Sequence, residues 1–466
     1  MRLPWTASLV LLLTLWNIRY DGAAATSVLS KVDVRYRWVY RNPTTGAASW
    51  MNPIAEPAPL LYSHMGMLTV LPNGSLAAAW QGSEKFWEGS DEQGIHWAIS
   101  DDGGASWGAQ ESLVPAPDSL PAWGPVLHTE GREVHLFYAV SKRQCWWVGE
   151  GGMHWACGGD LMMQSSSDSG ATWSNPKVIY SYSDEGGISK MLANHLGTTS
   201  GGDWVLPVWR EMGGQQACNM HPELHGAAGV LLSSDQGRSW AVYNASLAQA
   251  AKPTWLIEGA MASIGKMSWL QVFRTSVGFV YSSRSNDDGM TWTPARPTHV
   301  KNPNSKVDIL ALPHNTLLLA YNDDSEASRS TLLLAMSTNE GHSWHDIAVL
   351  EADPRGSFHY PTLLYHEEQD TVLVIYSVDY LPDASAPGTF VTIDGGSIEA
   401  QWKCLSAEPG AAQPNNSEGA EELQSSQCRP ANAWGKESWG MRLASVQGVA
   451  IRRIASELRE QTVAAA

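Results

Sequence analysis

The sequence predicts an all-β chain arranged as a six-bladed β-propeller, and three observations predict it. An eight-residue phrase recurs five times, starting at Ser100, Ser166, Ser233, Ser285 and Ser337, so its copies lie 66, 67, 52 and 52 residues apart. Short alternating apolar runs, bounded by turn residues, fill the intervals, while helical periodicity is nearly absent. The chain is also rich in Gly (42) and Trp (23) for its 466 residues, which suits short strands and tight turns. Self-similarity at this spacing marks one small sheet per repeat, and radial repetition of such sheets protects their edges.

Each position of the phrase has a physical task. In the first copy, Ser100, Asp102 and Ser106 are short polar side chains that fold back on nearby backbone N–H groups and hold a turn. Gly104 supplies a positive φ, and Trp107 places a large apolar ring between neighbouring sheets. The same reading covers Asp168, Asp235, Asp287 and, in the fifth copy, Asn339. These are hairpin residues and not catalytic ones, because five copies of one active site in one chain are not expected.

Taken in order, Val32–Tyr40 alternates as a strand that joins the last sheet and closes the ring. Met67–Leu71 and Leu76–Trp80 flank Pro72-Asn73-Gly74, a hairpin signal, and Ile95–Ile99 leads into the first phrase. Val134–Val140 belongs to the second unit. Trp204–Trp209 and Val230–Leu232 belong to the third. The fourth has Met261–Ile264, Trp269–Phe273 and Phe279–Ser282, and the fifth Val307–Leu312, Thr316–Tyr321 and Thr331–Met336. The sixth unit, Pro361–Tyr365 and Val372–Tyr376, lacks the phrase and resumes as a strand at Val449–Ile454. The interruption over residues 382–437 reads as a loop insertion, its Ala-, Gly-, Pro-, Ser- and Glu-rich middle as partly disordered. Ala455–Thr462 is the one short helix expected.

The net charge of −17 argues against nucleic-acid or anionic-membrane partners, which require a basic face. Residues 1–25 read as an export signal: Arg2, an apolar run from Leu9 to Trp16, then Ala23-Ala24-Ala25. The apolar run is short for a membrane span, and only an uncleaved segment would anchor the chain. The remainder, 26–466, is expected to be secreted or lumenal. Export makes the sequons at Asn73, Asn244 and Asn415 credible. The five cysteines favour local pairs Cys145–Cys157 and Cys404–Cys428, leaving Cys218 free. No cysteine or histidine spacing suggests a metal, His154 and His225 included, and no cofactor is expected.

The repeated phrase resembles the Asp-box, or bacterial neuraminidase repeat, of the sialidase superfamily. The runs Val272–Gly278 and Asn302–Asp308 look like a sialidase-like branch found in bacteria and plants. Asp-boxes mark a fold, so function has to come from the site. Sialidases grip the sugar carboxylate with three arginines, attack the anomeric carbon with a Tyr activated by a Glu, and use an Asp as acid/base.

That resemblance implies Tyr360 as nucleophile, Glu258 as its activator, and Arg274 and Arg329 as the second and third clamp arginines. Arg forks hold a carboxylate through two parallel bonds, and a phenol becomes a nucleophile when a carboxylate takes its proton. Asp91 is the first candidate acid/base and Glu88 the second. The stretch Tyr62–Leu68 holds no arginine where the family has its first, so His64 is expected to stand in as a cation or hydrogen-bond donor. Arg210 and Asp308 are weaker candidates for lining the pocket. Trp146, Trp147 and Trp155 cluster in a Gly-rich loop and are more readily packing residues than sugar platforms. The expected activity is that of a secreted exo-glycosidase acting on terminal, acidic sugars of a glycoconjugate or polysaccharide. Two alternatives stand beside it: a non-catalytic propeller binding a glycan or polypeptide, and an enzyme acting on a sugar other than sialic acid.

Overall fold

The computed structural model describes residues 34–41, 60, 62–85, 88–142, 146–149, 152–155, 158–211, 226–243, 254–326, 328–354, 356–380, 402–404, 428–430 and 440–465. The export segment, Cys145, Cys157, Cys218, His225, Asn244, Asn415 and most of the 382–437 insertion lie outside them. Within that insertion Trp402–Cys404 pairs with Cys428–Pro430, and Cys404 and Cys428 are register partners.

The described chain is all-β apart from one C-terminal helix and two 3-10 turns. Its sheets are antiparallel meanders taken in chain order. The first runs Tyr62–Val70, Leu76–Ser83, Gly94–Ser100, Glu111–Val114. The fourth (Ile257–Gly265, Ser268–Arg274, Phe279–Ser285, Arg296–Lys301) and the fifth (Asp308–Leu312, Thr316–Asn322, Thr331–Ser337, His345–Ala352) have the same form. The second and third meanders are fused into one nine-stranded sheet through a single bridge, Gly159 to Lys190. The innermost strand of the third is split into Lys190–Met191 and Gly197–Thr198, with Asn194 and His195 in the gap.

The last sheet joins the two ends of the chain. Strands Gly356–His366 and Thr371–Tyr380 are followed by Gly440–Gln447, which pairs with Val34–Arg41 near the N-terminus. The expected role of the N-terminal strand is therefore observed. The expected strand Val449–Ile454 is not: Gly448–Ala465 is a helix. Ile451, Ile454, Ala455 and Leu458 fall on one helical face and are buried with the fifth and sixth units, a 3.6-residue period that outweighs the β-propensity of Val and Ile.

First strands of successive units pack on one another. Tyr62–Val70 meets both Ala122–Glu130 and Gly356–His366, while Ile257–Gly265 meets Gly197–Thr198 and Asp308–Leu312. The repeated phrases lie at the far side, each linking the third and fourth strands of its unit. In the first, Gly104 N and Ser106 N donate to Ser100 Oγ and Asp102 Oδ1, both at 2.8 Å. The glycine is also where units touch. A Cβ added at Gly170 would lie 1.8 Å from Trp97 in the preceding sheet, and one at Gly104 would lie 2.6 Å from Leu443 in the last sheet. The first phrase thus packs on the last sheet as the second packs on the first.

Candidate active site

Two inner strands bend at the residues that meet. Strand Ile257–Gly265 skips register between Ile257 and Ala260, leaving Glu258 at φ 50°. Strand Gly356–His366 skips between His359 and Thr362, leaving Tyr360 at φ 56°. Similar left-handed bulges occur at Met65 and Gly124 in the first strands of the first two units. A bulge re-aims a side chain, and a left-handed non-glycine residue stores about 1–3 kcal/mol that its surroundings must offset.

Those bulges bring Tyr360 Oη within 2.7 Å of Glu258 Oε1, to which it donates. Arg274, at the end of the adjacent strand, donates through Nη1 to Glu258 Oε1 at 2.9 Å and to Tyr360 Oη at 2.5 Å. Its Nε donates to Asn304 Oδ1 at 2.8 Å. Arg329 donates to the Asn304 carbonyl at 2.6 Å. Each guanidinium carbon lies 5.7 Å from the centre of the Tyr360 ring.

Burial dominates the electrostatics. It pushes the Tyr360 phenol well above its usual range, with Arg274 opposing and Glu258 reinforcing. For Arg274 burial acts downward, but Glu258 and Tyr360 overcome it and the net shift is upward. Arg329 moves down, first through burial and then through repulsion from Arg274. Buried and facing His359 and both arginines, His64 falls well below the usual imidazole range and is neutral at pH 7.

His64 is part of the site, its ring centre 4.1 Å from that of Tyr360 and its Nδ1 2.8 Å from Ser377 Oγ. Of the two expected roles, cation or hydrogen-bond donor, burial disfavours the first and leaves the second. Glu88 also enters: Gln81 Nε2 donates to its Oε1 at 2.8 Å. The residue as a whole is exposed, but its carboxylate turns inward to Gln81 and Tyr62. Desolvation raises it, those two hydrogen bonds oppose the rise, and Glu258 adds to it. Asp91 points elsewhere, half exposed and paired with Lys85. Arg210 is buried in an ion pair with Glu185, its Nε 2.9 Å from Oε2. Asp308 is fully buried and accepts from the Leu363 N–H at 2.7 Å, with His195 Nε2 at 3.1 Å. Arg210 and Asp308 thus have their charged groups buried and engaged with these partners.

Several site residues were given no role by the sequence, although Asn304 lies in the run Asn302–Asp308 that carries the resemblance. Asn304 bridges both arginines. His359 Nε2 lies 2.8 Å from Asp379 Oδ2, and burial pushes Asp379 up to about 7 against the pull of Arg329. His359 sits beside Tyr360 in sequence and was visible there only as a neighbour, whereas Asp379 arrives through strand pairing. Among the described residues no group of three or more His, Cys, Asp or Glu side chains is placed to hold a metal.

Residues 74–373 match the model of the BNR repeat-like domain. The chain belongs to the sialidase-like BNR repeat family. It is 25% identical over 208 residues to a sialidase of Bacteroides fragilis, a match that covers 40% of this chain and 37% of that protein. Among solved structures, the Trypanosoma rangeli sialidase superposes with a TM-score of 0.57 at 12% identity, covering 87% of this chain and 57% of the other. The Hadza microbial sialidase Hz136 gives 0.54 at 18% identity, covering 67% and 63%. An intramolecular trans-sialidase from Ruminococcus gnavus, in complex with oseltamivir carboxylate, gives 0.52 at 14%, covering 68% and 90%. At these identities the likeness to the solved structures is one of fold. The BNR chain spans well under half the length of the Bacteroides relative.

Proposed function

We propose that this protein is an exported, retaining exo-glycosidase of the sialidase type, built as a six-bladed propeller with five Asp-box hairpins. The observation that carries the reading is the contact of Tyr360 with Glu258 at 2.7 Å, flanked by two guanidiniums equidistant from the phenol ring. Arg274 touches both the phenol and its base, so a carboxylate held by Arg274 and Arg329 lies beside the attacking oxygen. That placement suits a sugar whose carboxylate is borne on the anomeric carbon. A neutral phenol approaches such a carbon without the repulsion that an anionic nucleophile would meet.

In this mechanism Glu258 takes the phenolic proton as Tyr360 Oη attacks the anomeric carbon, and the glycosidic bond breaks with its electrons on the leaving oxygen. Glu88, whose raised pKa favours the protonated form, supplies the proton to that oxygen. Water then attacks the glycosyl–tyrosine bond, losing a proton to the Glu88 carboxylate, while Glu258 returns the proton to Tyr360. With His64 neutral, Arg274 and Arg329 are the cations among the described residues that hold the carboxylate, and they read a group that sialic acid shares with other 2-keto sugar acids.

The test is a panel of 4-methylumbelliferyl glycosides that contrasts ketosides of N-acetylneuraminic acid and of shorter 2-keto-3-deoxy sugar acids with neutral aldosides. Ketosides are hydrolysed, and Tyr360→Phe and Glu258→Gln each lower kcat by about 10²- to 10⁴-fold. Hydrolysis of neutral aldosides alone, or full activity in Tyr360→Phe, removes the reading.

A further inference from the structure

We propose that Lys306 is a positioning residue that holds the Tyr360 bulge in its attacking geometry. The proposal rests on the reading of Tyr360 as the nucleophile. Lys306 is 1% exposed, and a fully buried ammonium is costly unless its donors are used. Two of them are spent on the bulge: Nζ donates to the Pro361 carbonyl at 2.5 Å and to Thr362 Oγ1 at 2.9 Å.

The location matters more than the count. Strand Gly356–His366 loses register between His359 and Thr362, so Tyr360 and Pro361 stand outside the strand ladder. Pro361 has no N–H to offer, and its carbonyl needs a partner from another element. Lys306 supplies it from the loop just ahead of strand Asp308–Leu312 in the preceding unit, with a charge-assisted bond that is stronger than a neutral one. Two residues later, Asp308 accepts the Leu363 N–H at 2.7 Å. Two residues earlier, Asn304 holds Arg274 through its side chain and Arg329 through its carbonyl. Residues 304–308 therefore bind the nucleophile's strand and both candidate clamp arginines.

An equivalent tie exists for the base. Asn194 Nδ2 donates at 2.8 Å to the carbonyl of Glu258, itself a bulge residue. The strain of the two left-handed residues is thus held by polar side chains from neighbouring units. Lys306 is the only charged one of the two ties, and Glu258 and Asp308 are the acidic groups that oppose the downward pull of burial on it.

The experiment compares Lys306→Met, which keeps the length of the side chain and removes its donors, with Thr362→Val, which removes one acceptor. Both are measured for kcat and KM on the ketoside that the wild-type protein hydrolyses. Amide hydrogen exchange is followed over residues 356–366. Lys306→Met is expected to lower kcat by about ten- to a hundredfold, as a displacement near 1 Å does, with KM changed less than about twofold. Exchange quickens at residues 358–364 and not in the other sheets. Thr362→Val lowers kcat a few-fold in the same pattern.

Unchanged kcat in Lys306→Met overturns the proposal, as does faster exchange spread evenly over the fifth and sixth units, which marks a scaffold residue. If Lys306→Met fails to fold, Thr362→Val decides alone, and wild-type kcat there overturns the proposal. A wild-type protein that hydrolyses nothing on the panel removes the proposed activity, while local exchange at 358–364 still decides whether Lys306 anchors the bulge.

Discussion

Asp379 Oδ2 lies 2.8 Å from His359 Nε2, and both groups are displaced toward their neutral forms. Burial is the main cause in each case. Arg329 opposes the shift at Asp379 and, together with Arg274, deepens it at His359. The pair faces Arg329, Tyr62 and His64.

The pair makes a pH prediction whose sign follows from linkage. Asp379 titrates at about 7 when folded against about 3.8 for an ordinary Asp, so the folded state holds the proton more tightly. Its contribution to stability is present below the unfolded pKa and is lost as pH rises from about 4 through about 7. Asp379→Asn keeps the shape and cannot ionise. Its melting temperature should exceed that of the wild type by roughly 2 °C or more at pH 8 and match it near pH 4. Equal destabilisation at both pH values, read by differential scanning fluorimetry, would show that only packing was lost.

Glu88 and Asp91 are separated by a leaving-group series. A proton donor matters most when the leaving oxygen is basic. Glu88→Gln should cost about 10²-fold with an alkyl or sugar leaving group and much less with 4-nitrophenol. Asp91→Asn removes a half-exposed carboxylate paired with Lys85 and should leave all of these rates within about twofold. A leaving-group-dependent loss in Asp91→Asn, with Glu88→Gln active throughout, would restore Asp91 to the role.

Much of the architecture was legible because its signals are local. Alternation placed strands such as Thr316–Asn322 and Thr331–Ser337 nearly to the residue, and the turn chemistry of Ser285-x-Asp287-x-Gly289 placed the outer hairpins. Tyr360, Glu258, Arg274 and Arg329 could be named from the family resemblance, with the fourth and fifth hairpins as the ruler for the two arginines, and the structure brings the four together. What escaped was long-range or conformational. Nothing in Ile257-Glu258-Gly259 or His359-Tyr360-Pro361 announces a left-handed residue before a bulge. Asp379 and Lys306 reach the site only through pairing and packing between units. The helix at Gly448 was hidden by β-branched residues, and the split strand at 190–198 by a stretch too short to show a period. Asp91 was placed ahead of Glu88 because the resemblance implies an Asp in that stretch, and residue type cannot tell which carboxylate turns inward.

The repeated phrase makes the last prediction, about acid stability. Asp102, Asp168 and Asp235 are held down to about 2, first by a hydrogen bond from the Ser or Thr hydroxyl four residues on and then by the backbone N–H of that residue. Depressed carboxyls contribute stability above the unfolded pKa and lose it as pH falls from about 4 through about 2. The fifth copy shows that the turn survives without a charge: Asn339 Nδ2 donates to Ser343 Oγ at 2.9 Å, and its Oδ1 accepts from Ser343 N at 3.0 Å. Replacing the three aspartates by Asn should therefore keep the hairpins and flatten the fall of the urea midpoint between pH 4 and pH 2. If the triple variant loses its midpoint over that interval as steeply as the wild type does, acid sensitivity resides elsewhere, and the carboxylates of the phrase are interchangeable with amides at every pH.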